Sequence, residues 1–187
     1  NLTSLARIMM PELEAHLGKD VKQGAVVMSL KRLSEELDFK INYKISKVLK
    51  NIGEITVRSS LTDFTYVISD TLLDNQAKLI SEINKQQDIF YTSSRGVNET
   101  NIVISASVEL LIESIFKNEK LTHKIENLSS ITVKLPQENI STPGVYYYIF
   151  QRLAWEGIII HEVISTTNEF TIIVSDDQID VAFKVIK

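Results

Sequence analysis

Asn98-Glu99-Thr100-Asn101-Ile102-Val103-Ile104-Ser105 recurs 70 residues later as Asn168-Glu169-Phe170-Thr171-Ile172-Ile173-Val174-Ser175. In each, a polar turn leads into a β-branched apolar run, which reads as a strand entered from a turn. Ile55-Thr56-Val57-Arg58 and Ile131-Thr132-Val133-Lys134, 76 residues apart, make a second match. Two matches at similar offsets, each at the same place in the order of elements, predict an internal duplication.

Working outward, the period changes from helical to two at Ile52-Gly53. Alternation through Ile55, Val57 and Ser59, a turn at Leu61-Thr62, and alternation through Phe64, Tyr66 and Ile68 predict a hairpin. A helix (72–87), strands (88–94 and 100–105), a helix (108–118) and a strand (122–128) follow. The second copy gives a strand (131–135), a helix (143–156), strands (157–166 and 170–175) and a helix (176–187). It stops one strand short, and an open sheet edge would leave backbone groups unpaired. The strand Glu54 to Ser60 is therefore predicted to cross over and complete the second unit's sheet, interlocking the two. Boundaries are expected at 1–51, 52–128 and 129–187.

The first fifty residues read as helices. Leu5, Ile8, Met9, Leu13 and Leu17 line one face, with Thr3 as a cap and Pro11 forcing either a kink or a fresh helix start. A second helix carries Ala25, Val26, Met28, Leu30, Leu33 and Leu37 inward. A third, from about Asn42 to Leu49, turns Ile41, Ile45, Val48 and Leu49 inward, which predicts a small three-helix bundle.

The 187 residues are 44% hydrophobic and 24% charged, enough apolar mass for a packed core. Six Gly and three Pro exclude collagenous and low-complexity classes, and no apolar run approaches membrane-helix length. Without Cys there is no disulfide framework, thiol nucleophile or thiolate metal site, a composition compatible with the cytoplasm. The start at Asn1, with neither Met nor a signal pattern, predicts trimming from a longer chain. Net charge is −4, yet residues 1–50 carry +3, so the front segment is mildly basic.

Ile131-Thr132-Val133, Ser141-Thr142-Pro143-Gly144-Val145, Ile149-Phe150, Leu153-Ala154-Trp155-Glu156-Gly157-Ile158 and Ile164-Ser165-Thr166-Thr167-Asn168-Glu169 together resemble the ACT domain, specifically the tandem ACT regulatory region of aspartate kinases. The resemblance implies an α+β chain of two ferredoxin-like βαββαβ ACT units, assembled as a homo-oligomer such as a dimer, with an amino acid bound at the seam between units. Gly24 to Leu33 looks loosely like the second helix of a helix-turn-helix.

Pro143 suits the first helical position, and Gly144 admits close backbone approach. The amides that follow, from Val145, point outward at the positive end of a helix dipole, where a ligand carboxylate would fit. A cap by Ser141 or Thr142 is the alternative. The acidic residue that many ACT units carry before Pro-Gly is absent; Ser141 stands near it. The first copy has Asp70-Thr71-Leu72-Leu73 there, so a binding site is expected in the second copy alone. The resemblance maps further ligand contacts onto Ile159, Ile160 and His161, and the expected site is Asn139, Ile140, Ser141, Thr142, Pro143, Gly144, Val145, Ile159, Ile160 and His161. His161 reads more readily, from the residues alone, as an ordinary polar strand residue. Tyr148 and Trp155 form a second apolar stripe, for the partner unit, the helical bundle or another subunit.

His16, His123 and His161 are scattered, and no metalloprotease, nucleophile-elbow or phosphate-loop motif occurs. The expectation is a non-catalytic sensor without cofactor or metal, binding an amino acid or similar small effector. The alternatives are a ligand-responsive transcription regulator contacting DNA phosphates through Lys19, Lys22, Lys31 and Arg32, the detached regulatory part of an aspartate-kinase-like enzyme, and a ligand-free dimerisation subunit.

Overall fold

The computed structural model describes residues 1–86 and 88–187; the side chains of residues 36–44, 46 and 47 lie outside the described residues, as does Gln87. The expected inward residues Leu37 and Ile41, and the cations Lys40, Lys44 and Lys47, fall there. Two helices come first, α1 (Leu2–Leu17) and α2 (Gln23–Lys50). Asn1, not Thr3, caps α1, its side chain accepting from the Thr3 N–H at 3.0 Å. Pro11 lies inside a continuous α1. Gly18, at φ 63°, ends α1 by donating to Glu14 O. The expected second and third helices are one 28-residue helix, about 42 Å long. The predicted three-helix bundle is therefore a two-helix hairpin: between Leu37 and Asn42 the sequence holds neither Gly nor Pro to stop the helix.

The rest is β1 (Ile55–Val67), α3 (Leu72–Ile83), β2 (Tyr91–Arg95), β3 (Glu99–Ser105), α4 (Glu109–Ile115), β4 (Leu121–Lys134), α5 (Val145–Trp155), β5 (Glu162–Ser165), β6 (Glu169–Ser175) and α6 (Ile179–Ile186). One curled, fully antiparallel sheet holds all six strands in the order β2-β3-β1-β4-β6-β5.

The predicted hairpin is a single 13-residue strand. Ser60, at φ 60°, places an irregularity between Arg58 and Leu61, which moves the residues packed against the helices from an odd position (Ile55) to even ones (Phe64, Tyr66). That shift of phase is what reads as a turn in the sequence. The strands predicted at 122–128 and 131–135 are likewise one, with Asn127 at φ 57°.

The crossover is as predicted. The first half of β1 pairs with the second half of β4, beside β6 and β5. The second half of β1 lies between β3 and the first half of β4. Each unit thus has the ferredoxin-like order: unit 1 takes its fourth strand from the first half of β4, and unit 2 takes its own from the first half of β1. One letter match was misassigned: Ile55–Val57 and Ile131–Val133 are hydrogen-bonded neighbours (Ile55 opposite Val133, Val57 opposite Ile131), not equivalent positions. The 98–105 and 168–175 match is correct, as β3 and β6.

Three apolar clusters hold the body. Phe64, Tyr66, Ile102 and Ile104 pack under α3 and α4, and Ile131, Val133, Phe170 and Ile172 under α5 and α6. Leu61, Val103, Leu128 and Ile173 close the opposite sheet face. Val48 of α2 joins the second cluster, so the helical hairpin is anchored to unit 2 by its far end.

Candidate functional site

After β4, Leu135 is buried, and Gln137–Ser141 make a short 3-10 turn before Thr142, Pro143 and Gly144. The hydroxyls of Ser141 and Thr142 both donate to Glu138 O, at 3.2 and 2.8 Å, so neither caps α5. Gly144 is the N-cap residue, at φ 90°, and among the described residues no side chain bonds the first amides of the helix. Val145 points into the core at 2% exposure. Ile45 of α2 sits over this step: a Cβ on Gly144 would lie 3.2 Å from Ile45 Cδ1. Asn139 Nδ2 donates to Tyr146 Oη, which is 2.7 Å from Ser165 Oγ, tying the loop to the end of β5. Ile140 projects into solvent.

The remaining predicted residues lie at the other end of β5. Ile159 is exposed, its N–H donating to Gln178 Oε1, and Ile160 packs partly on the core. The His161 N–H donates to Ile173 O, and its Nε2 lies 3.1 Å from Ser175 Oγ. The four steps from His161 to Ser165 correspond to about 13 Å of extended chain. Within one chain, residues 139–145 therefore gather, while 159–161 stand apart from them.

Beside His161 is a polar group that the sequence reading missed. Asp63, 6% exposed, accepts from Asn101 Nδ2 at 2.6 Å on the face of Leu61 and Val103. Burial raises the Asp63 pKa, partly opposed by Asn101, His161 and His123. Burial also raises that of Glu162, and the Asp63 charge adds to it. Ser130 Oγ is buried on the same face with no hydrogen-bond partner among the described residues. An acidic residue inside the strand pattern of β1 was the available signal. The group resembles no metal cage: among the described residues no three His, Cys, Asp or Glu side chains could hold an ion.

The cations expected at DNA are exposed. Lys19 and Lys22 lie in the turn between α1 and α2, and Lys31 and Arg32 lie on α2. Lys31 Nζ is 4.0 Å from Glu35 Oε1. Trp155 is 75% exposed, whereas Tyr146 stacks on Phe170 at 4.9 Å. Among the described residues no helix is long and apolar enough to cross a membrane.

No protein-family model matches this sequence, and no curated protein does. Solved structures do. The regulatory subunit of aspartate kinase from Thermus thermophilus, in a ligand-free form, superposes with a TM-score of 0.59 at 10% identity, covering 72% of this chain and 95% of that one. Clostridium acetobutylicum aspartate kinase gives 0.59 at 17% identity, with 72% and 34% covered. Escherichia coli aspartokinase III in complex with lysine and aspartate gives 0.53 at 10%, with 72% and 32% covered. The chain thus spans about a third of these two aspartate kinases and nearly all of the separate regulatory subunit. The interlocked units have the fold of the regulatory ACT-domain regions of aspartate kinases.

Proposed function

We propose that this chain is a regulatory ACT module that senses a small molecule, an amino acid in the first instance, through residues 139–145 and 159–161. The observation that carries the reading is the exchange of strands: β1 and β4 each belong to both units, so a ligand that moves one unit strains the other. The fold shared with aspartate kinase regulatory subunits supports a regulatory role, as does the lysine and aspartate complex of aspartokinase III. On this reading the two groups, which lie apart within one chain, meet across a seam that joins the 139–145 loop of one molecule to the 159–161 segment of a second. Ile45, seated on Gly144, passes a change in the loop to α2. A ligand shifts such an equilibrium only by binding one arrangement more tightly.

Calorimetry with the twenty amino acids tests this. One or a few are expected to bind saturably, and Asn139→Ala, which removes one hydrogen bond from an exposed loop, to weaken them. Silence across the panel overturns the reading.

A further inference from the structure

The two units are filled differently where their fourth strands enter. In unit 1, the Val67 N–H at the end of the first strand donates to Lys120 O, one residue after Glu119. In unit 2, the Lys134 N–H donates to Glu54 O, one residue after Gly53. Glu119 and Gly53 are therefore equivalent positions. The Glu119 carboxylate, 9% exposed, takes hydrogen bonds from Ser69 Oγ (2.5 Å), Thr71 Oγ1 (2.7 Å) and Asn75 Nδ2 (2.6 Å). Asn75 stands four residues after the α3 N-cap, Thr71; the matching residue after the α5 N-cap, Gly144, is Tyr148.

At the Gly53 position there is no side chain to fill the space. A cavity of about 500 Å³ opens there, bordered by Gly53 and Tyr148 together with Lys50, Arg152 and Lys187 over an apolar floor that includes Ile55. Among the described residues none of these three cations has a carboxylate within 4 Å. The Arg152 guanidinium lies 5.7 Å from the Tyr148 ring centroid, which holds its planar fork at the rim. Three cations around one cleft raise the local concentration of anions, and a guanidinium matches a carboxylate with two parallel hydrogen bonds. The volume falls in the range of small-molecule pockets.

We propose that this cavity of unit 2 binds a small dicarboxylate, taking from solution the carboxylate that unit 1 supplies from its own chain as Glu119. One carboxylate of the ligand occupies the place of the Glu119 head group near Tyr148, against Arg152, and the second meets Lys50 and Lys187. The short hydrocarbon between them lies on Ile55. This site is separate from residues 139–145 and 159–161, so its failure leaves the sensing proposal untouched.

The test is titration calorimetry with succinate, with inorganic phosphate as the competing oxyanion. Wild-type protein is expected to bind succinate saturably, more weakly as salt screens the cations. Arg152→Ala is expected to weaken it about tenfold or more. Gly53→Glu transplants the built-in carboxylate and is expected to do the same; the three atoms nearest a Cβ at Gly53 all belong to Lys134, none closer than 3.4 Å. Circular dichroism and thermal melting verify that both variants fold. Absence of saturable succinate binding overturns the proposal, as does an affinity unchanged in both folded variants. Phosphate binding tighter than succinate overturns the carboxylate assignment.

Discussion

Leu61 and Leu128 face each other across β1 and β4, and each follows a residue of positive φ, Ser60 at 60° and Asn127 at 57°. The pair is buried, at 1% and 0% exposure, and marks the centre of the pseudo-twofold relation between units. Each irregularity turns the strand over, so that one half faces the helices of one unit and the other half those of the second.

Replacing Asn127 with valine tests the cost of that geometry. A β-branched residue is a poor occupant of the left-handed region, which asparagine tolerates, and the strain is worth about 1–2 kcal/mol. Asn127→Val is expected to lose about that much in urea unfolding, while Asn127→Gly stays within about 1 kcal/mol of wild type. A valine variant as stable as the parent would show that the strand can straighten at no cost.

Glu119 makes stability depend on pH in a defined direction. Burial alone would raise its pKa, but the hydrogen bonds from Ser69, Thr71 and Asn75 outweigh that and hold it below the ordinary glutamate value. A depressed carboxylate stabilises the fold fully above its unfolded pKa and loses that contribution as pH falls through its folded one. Glu119→Gln is expected to cost about 1.5–3 kcal/mol at neutral pH, the worth of hydrogen bonds to a charged group. Denaturant titrations below about pH 4.5 should bring the two proteins together. A gap that stays constant with acidification would assign the loss to packing instead.

Much of this architecture was legible in the letters. Repeated Asn-Glu followed by β-branched runs marked β3 and β6, and the missing last strand of unit 2 disclosed the exchange, because an unpaired edge is a physical liability. The bulges were not legible: Ser59-Ser60 and Glu126-Asn127 carry no glycine, and a one-residue change of phase looks the same as a tight turn. The Ile-Thr-Val match misled because a strand pairing with a similar strand and a strand repeating it have the same composition. At the site, Pro143-Gly144 marked the start of α5 to within two residues: Gly144 is the N-cap, so Pro143 precedes the helix rather than opening it as expected. Nothing in the sequence showed that Ile45, nearly one hundred residues earlier, covers it, or that the His161 ring meets Ser175 rather than the loop.

Asp63 is expected to oppose stability at neutral pH. Its pKa is raised by burial, despite Asn101, His161 and His123, so ionising it penalises the folded state. For an acid raised in this way the penalty is present above the folded pKa and disappears as pH falls below the unfolded value. Asp63→Asn keeps an acceptor for Asn101 Nδ2 and is expected to gain about 1 kcal/mol at pH 7, shrinking toward zero near pH 4. Glu162 should titrate closer to its ordinary value in that variant, because the Asp63 charge contributes to its rise. Unfolding curves across this range and carboxylate titration by NMR measure both effects. A variant less stable than wild type at pH 7 would mean that the ionised form is needed by the histidines.

Gly144 joins the helical hairpin to unit 2. Its φ of 90° is costly for any residue with a Cβ, and that Cβ would come within 3.2 Å of Ile45 Cδ1. Gly144→Ala should therefore lose about 1–2 kcal/mol to backbone strain, plus a steric part that depends on Ile45. Ile45 is 1% exposed, and Ile45→Ala should lose about 2–5 kcal/mol by leaving a cavity. In the double variant the steric part vanishes, because the new methyl group enters space that Ile45 has left. The two losses should then fall short of additivity by about 0.5 kcal/mol or more in a double-mutant cycle. Strict additivity would mean that α2 shifts freely against α5, and with it would go the mechanical route from the loop at 139–145 to the helical hairpin.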